Sequence, residues 1–149
     1  MNTRTLILTV AATVALALAP ATAQVSPESY LAGVANAQSG EQAAAAYSAG
    51  VAVSPYHVPL HETYLLRMAE LGLVDQTFPQ ARWLVQVDTT NGIAWAVIAI
   101  QGATEGQMAE AVDAVIRALA TQQEHPFVLH TAGQVVGWYD HDNGLATAD

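Results

Sequence analysis

The chain has 149 residues, no cysteine and a formal charge of −9, its 13 Asp and Glu facing 4 arginines and no lysine. A surface this acidic, with scattered arginines and no basic stripe, repels a phosphate backbone, which excludes nucleic acid as a partner. The lack of cysteine excludes a disulfide framework, covalent haem attachment and a lipoprotein-type anchor, so helix or sheet packing must supply the stability.

Met1-Asn2-Thr3-Arg4 precedes an apolar run from Leu6 to Ala19 broken only by threonines, followed by Pro20 and the small-residue triplet Ala21-Thr22-Ala23. That order predicts a secretory signal peptide over residues 1–23 with cleavage before Gln24, and hence a periplasmic or secreted protein with no membrane segment after cleavage. A transmembrane span is the alternative, but the apolar run is short for a bilayer. Loss of Arg4 leaves the mature chain more acidic still.

From Ser26 onward the signals are helical. Ser26-Pro27-Glu28 supplies an N-cap, a proline at the first helical position and an acid at the positive dipole end, predicting a helix from Pro27 to about Ala37. Ser39 with Gln42 forms a capping-box pattern ahead of an alanine run, predicting a second helix that reaches Val53 and stops before Ser54-Pro55. A third is predicted from Pro59 to Leu71, with Gly72 as a left-handed C-terminal cap. Thr77-Phe78-Pro79-Gln80 opens a fourth that runs to Val87, Asp75 being an alternative N-cap. Asn91-Gly92 marks a turn before a fifth, Ile93 to Gln101, ending near Gly102. The sixth spans Gln107 to Thr121. The seventh begins at His125-Pro126 and runs to Tyr139, and residues 140–149 read as a polar, flexible tail. No alternation of the strand period competes with these signals, so the fold class is all-α.

The helices recur at one fixed interval, the step from Gly72 to Gly106. At the same step Leu65, Ala99 and Gly133 correspond, as do Ala44, Phe78 and Val112; Val51, Val85 and Leu119; Gly50, Leu84 and Ala118; and the turn residues His57, Asn91 and His125. The fullest copy contains Trp95-Ala96-Val97-Ile98-Ala99 with Gly106, Ala111 and Ala118, and an earlier copy supplies Ala43-x-x-x-Tyr47 with Gly50 and Pro55. These residues resemble the tetratricopeptide repeat, whose pattern is Trp-x-x-Leu-Gly-x-x-Tyr, then Ala-x-x-x-Phe, then Pro. The middle copy departs from it, with His61 for tryptophan, Thr77 for alanine and Thr89 for proline.

The resemblance covers residues 27–139 and implies a short α-solenoid of antiparallel helix pairs, a right-handed superhelix of three and a half repeats within a domain spanning 24–139. In that family the first helices of each pair line a concave groove. Carried over by position, the groove residues are Tyr30, Val34 and Gln38; Glu62, Leu66 and Glu70; Ala96, Ile100 and Thr104; and His130, Gln134 and Trp138. Such a groove is mostly apolar with a few acids and suits a protein or peptide segment, extended or helical. It lacks the Lys, Arg and Asn with which some members clamp a terminal carboxylate. The alternative is that these residues are solvated or pack between repeats.

The seventh helix stands as the first half of a repeat whose second helix does not follow. With Leu129, Ala132, Gly133 and Val136 packed inward, Val128, Val135 and Tyr139 are left as an apolar end face beside Trp138. That face suits self-association into a homo-oligomer, or a cover formed by the tail.

Catalytic and metal chemistry find little footing. His57 and His61 have the i, i+4 spacing of a metal pair, but Pro59 places His57 ahead of the helix and no general-base glutamate lies between them. Asp140-His141-Asp142-Asn143-Gly144 has its glycine one place early for a calcium loop, and no glutamate closes it. The serines sit at caps and turns, outside any nucleophile elbow. The sequence therefore points to an interaction module, not an enzyme, with no cofactor and no metal site. The other readings are a self-associating structural component of an extracytoplasmic assembly and, third, a histidine-based metal protein using His57, His61 and His130.

Overall fold

A computed structural model describes residues 26–146, with side chains to residue 141. The predicted signal peptide lies outside the described residues. Among the described residues seven α-helices follow one another: α1 (Pro27–Ala35), α2 (Gly40–Val53), α3 (Val58–Glu70), α4 (Phe78–Val87), α5 (Gly92–Thr104), α6 (Met108–Gln122) and α7 (Pro126–Ala146). There is no strand among the described residues.

Local chemistry accounts for most of the boundaries. The Ser39 side chain accepts the Gln42 N–H at 3.3 Å, satisfying one of the orphan donors of α2, and the Gln42 side chain reaches back to accept the N–H of Gln38, just before the cap. Asn91 caps α5 by accepting the Ala94 N–H at 3.0 Å. Gly72 and Gly106, with φ of +72° and +74°, occupy the left-handed region that closes α3 and α5. A 3-10 turn, Val74–Thr77, runs directly into α4, and Pro79 sits in its first turn where no intrahelical N–H is needed.

Three boundaries differ from expectation. α1 stops at Ala35, because Asn36 turns its side-chain amide back to the Ala32 carbonyl at 2.8 Å. α5 passes through Gly102 and ends at Thr104. Gly102 is tolerated inside that helix because a Cβ there would lie 3.2–3.3 Å from Ala111, so its absence lets α5 and α6 approach closely. α7 continues through Asp140 to Ala146, over residues read from sequence as a tail, and the calcium-loop look-alike is therefore helical.

Each helix packs against the next, and each odd-numbered helix also packs against the next odd-numbered one: α1 on α3, α3 on α5, α5 on α7. The even-numbered helices α2, α4 and α6 each bridge two successive odd-numbered helices. On α2, α4 and α6, positions one interval apart share their burial: Gly50, Leu84 and Ala118 are all buried, and Val51, Val85 and Leu119 are all half-buried; on the odd-numbered helices Leu65 and Ala99 are buried but Gly133 is exposed. One core joins Val34, Ala43, Leu60 and Tyr64 across α1–α3, and a second joins Leu65, Ala81, Leu84 and Val97 across α3–α5. A third, alanine-rich core joins Ala99, Ala111, Ala114 and Val135 across α5–α7. Burying a leucine such as Leu65 or Leu84 stabilises the fold by about 1.5–3 kcal/mol.

Cross-helix polar contacts fix how the pairs meet. Arg67 on α3 donates through its guanidinium to the Ala37 carbonyl beyond α1 and pairs with Glu70 at 2.7 Å. Gln122 at the end of α6 accepts the Ile93 N–H at 2.8 Å, so a second side chain caps α5 from its neighbour. Gly92 is needed there, since a Cβ would lie 2.8–2.9 Å from Gln122 and the Ala118 carbonyl.

The orientation of α7 is a correction. Val128 and Val135 are fully buried, packed against Ala96, Ala99, Ala118 and neighbouring residues, whereas Leu129 and Val136 are 52% and 53% exposed. Val128 and Val135, expected on the end face, enter the core, whereas Leu129, Gly133 and Val136, expected inside, are exposed; Ala132 packs inward and Tyr139 stays exposed, as expected. The reason lies in what α7 can touch. With α5 and α6 as its only extensive contacts among the described residues, it buries the side facing those two helices and leaves open the side that a following helix would meet.

Candidate functional site

Three successive odd-numbered helices, α3, α5 and α7, enclose a groove of about 660 Å³. Leu66 and Ala69 come from α3, Ile100 from α5, and Pro126, Phe127 and Trp138 from α7, with Val74 from the 3-10 turn. The polar residues at this wall are Glu70, His125, His130 and Gln134. The volume falls in the range of ligand-binding clefts, roughly 300–1,000 Å³, and the balance of apolar lining with a few polar groups is the usual one. No Ser, Thr, Lys or Arg is among the lining residues, so the groove's chemistry is burial of apolar surface with hydrogen bonding at its rim.

Helical spacing explains the arrangement. Leu66 and Glu70 stand four apart on α3, and His130, Gln134 and Trp138 four apart on α7, so each set forms one row along its helix. Phe127 packs against the α3–α5 core beneath, and its N–H is accepted by the His125 ring at 3.3 Å, which sets the start of α7. Glu70 is exposed and held by Arg67 from the preceding turn.

Six of the residues assigned to the groove from the sequence meet here: Leu66, Glu70, Ile100, His130, Gln134 and Trp138. The others do not join them. Val34 and Ala96 are fully buried core residues, and Tyr30 packs half-buried against the α1–α3 core. Gln38 is exposed at the α1–α2 turn, where its amide donates to the Asn36 carbonyl. Glu62 accepts from the Asn91 amide at 2.6 Å and so serves the α5 cap. Thr104 lies in a shallower depression with Trp138, Met108 and His141. For α1 the discrepancy is one of register: one repeat interval back from Glu62, Leu66 and Glu70 stand Glu28, Ala32 and Asn36, all exposed, while Val34 lies on the opposite face. Ala69, Val74, His125, Pro126 and Phe127 are lining residues that the repeat positions do not mark, because they sit at turns and helix starts.

A second cluster lies at the α2–α3–α4 junction and concerns His61. Its ring is buried, with Nδ1 2.8 Å from the Tyr47 hydroxyl and Nε2 2.9 Å from the Pro55 carbonyl. A carbonyl only accepts, so Nε2 carries the proton and donates to it, while Nδ1 accepts from Tyr47. Burial pushes the His61 pKa down, the Pro55 carbonyl opposes this, and His57 adds a smaller lowering. Tyr47 stacks on Tyr64 at 4.1 Å between centroids, and burial, with a contribution from Tyr64, pushes its pKa up to about 12. Trp83 lies 4.4 Å from the His61 ring. Both imidazole nitrogens are engaged by protein, and no group of three His, Asp or Glu side chains able to hold a metal ion occurs among the described residues. His61 thus serves as a hydrogen-bonded aromatic of the α2–α3–α4 junction.

Comparison of the chain with protein-family models, with curated proteins and with solved structures gives no match.

Proposed function

We propose that this chain is an exported, tetratricopeptide-like interaction module, a short right-handed α-solenoid, that binds an apolar peptide segment of a partner protein in the α3–α5–α7 groove. The alternation of packing supports the solenoid reading: odd helices touch the next odd helix, even helices bridge them, and on the even helices burial recurs at the interval seen in the sequence. The observation that carries the binding reading is the groove itself, an apolar wall built from the same side of three successive odd helices and left open. Trp138, 40% exposed at its edge, is the kind of aromatic that anchors an interface. A groove of this shape takes an amphipathic helix through residues at i, i+3, i+4 and i+7.

The test uses short synthetic peptides with leucine at those positions and either lysine or glutamate elsewhere, titrated into the mature chain. Saturable binding of the lysine series, weakened about tenfold or more by Trp138→Ala and by Ile100→Gln, is expected. Equal binding by the wild type and both variants would place the peptide elsewhere and reject the groove. Export is tested by N-terminal sequencing of the protein recovered outside the cytoplasm of a bacterial host, with Gln24 as the expected first residue.

A further inference from the structure

α7 has a third side that the groove does not use and that the core takes up only through the half-buried Ala132. Leu129, Ala132, Val136 and Tyr139 fall at i, i+3, i+7 and i+10, the spacing of a two-helix seam, and three of them are about half exposed or more. One repeat interval back from the first three stand Trp95, Ile98 and Gly102 on α5. There Trp95 and Ile98 pack with Ala111, Ala114 and Val115, and Gly102 meets Ala111, so on α5 this stripe is the seat of α6. On α7 the same stripe is a helix seat with no helix on it among the described residues. Gly133 lies beside it, and a Cβ there would meet nothing within 4 Å.

Charge indicates the occupant. The chain carries −9, so two copies repel wherever their acids face each other, yet no Asp, Glu, Lys or Arg occurs between Glu124 and Asp140. Beyond Glu41 α2 is uncharged as well, but its exposed face is mostly alanine, Ala45, Ala49 and Ala52, with Val53 exposed only at its end, and so offers less apolar area than the Leu129, Val136 and Tyr139 side of α7. The side chains of α7 suit an antiparallel copy of themselves: about a twofold axis near Gly133, Leu129 of one copy lies opposite Val136 of the other, twice.

We propose that a second copy of this chain docks on the α7 stripe, α7 against α7, forming a closed dimer that leaves both grooves open. One helix pair buries less than a standard interface, so the dimer is concentration-dependent. The twofold places every substitution in the contact twice, and Val136→Glu raises the dissociation constant roughly a hundredfold. Val136 is half exposed in the monomer, so that variant keeps its helical circular dichroism and thermal midpoint.

The experiment is light scattering with size-exclusion chromatography over about a hundredfold range of concentration, on the wild type, Val136→Glu and the groove variant Ile100→Gln. It is paired with thiol crosslinking of Gly133→Cys and, as a control, Ala49→Cys, each the only thiol in the chain. A monomer–dimer equilibrium abolished by Val136→Glu, kept by Ile100→Gln, and crosslinked through residue 133 but not 49 is expected. A monomer throughout, a dimer indifferent to Val136→Glu or crosslinked through residue 49, or growth beyond a dimer would each overturn the proposal. None of these outcomes bears on peptide binding in the groove.

Discussion

The two sides of α3 are made of similar residues and serve opposite ends. On one side His61, Tyr64, Leu65 and Met68 are buried, and both nitrogens of the histidine have partners. On the other, Leu66 and Ala69 present apolar surface to an open groove, with Glu70 at its edge and His130 and Gln134 across from it. Residue type does not separate the two, since each side mixes aliphatic and ionisable groups. The separation comes from whether a neighbouring helix supplies the complementary surface. Where α1, α2 and α4 close over α3, polarity is consumed in fixing the fold; where α5 and α7 flank it, apolar surface is left open.

The sharpest way to break that contrast is to truncate neighbouring leucines. Leu65→Ala removes a fully buried side chain and should cost about 2–5 kcal/mol in chemical denaturation. Leu66→Ala, one residue on, should cost well under half of that while weakening the leucine–lysine peptide. Equal stability losses would mean that the groove side is core.

The next largest effect concerns the His61 cluster. Tyr47→Phe leaves a buried imidazole nitrogen without its donor and should cost about 1–3 kcal/mol, read from the same denaturation curves. Its pH dependence has a definite sign. The folded pKa of His61 lies below that of the unfolded chain, so the neutral ring's contribution is fully present above about pH 6.5 and is lost as pH falls towards the folded value. Melting temperature should therefore fall between about pH 7 and pH 5, and fall less steeply in His61→Gln. Identical slopes would show that the ring titrates as it does in the unfolded chain.

The smallest effect is a gain. Thr131 is buried between Val128 and Val135 with a hydroxyl that has no partner, and Thr131→Val should raise stability by about 0.5–1 kcal/mol. A loss would reveal a hydrogen bond to that hydroxyl.

Much of this architecture is legible in the sequence because its signals are local. Ser39–Gln42, Asn91, Gly72 and Gly106 act within a few residues of themselves, and each appears where the pattern predicts it. The all-helical class follows from periodicity along single helices, and the six residues that meet in the groove from positions carried over with the tetratricopeptide resemblance. What is not legible depends on neighbours far along the chain. Whether α7 buries Val128 and Val135 or Leu129 and Val136 is decided by the position of α5 and α6, because both stripes are apolar and both keep helical spacing. Val34 differs from a groove residue only by a two-place shift of register on a short helix. The role of His61 needs Tyr47 and the Pro55 carbonyl, which no spacing rule joins to it. Residues such as Phe127 and Val74 line the groove from turns and helix starts, which repeat positions do not describe.

The central claim is that the α3–α5–α7 groove is the binding surface. Its most direct test is to titrate the leucine–lysine peptide into the 15N-labelled protein and follow backbone amide shifts. The account predicts saturable shifts concentrated at Leu66, Glu70, Ile100, His130, Gln134 and Trp138, with the amides of His61 and Tyr64 unmoved. Shifts spread over the acidic surface without saturation, or centred on α2 and α4, would contradict it.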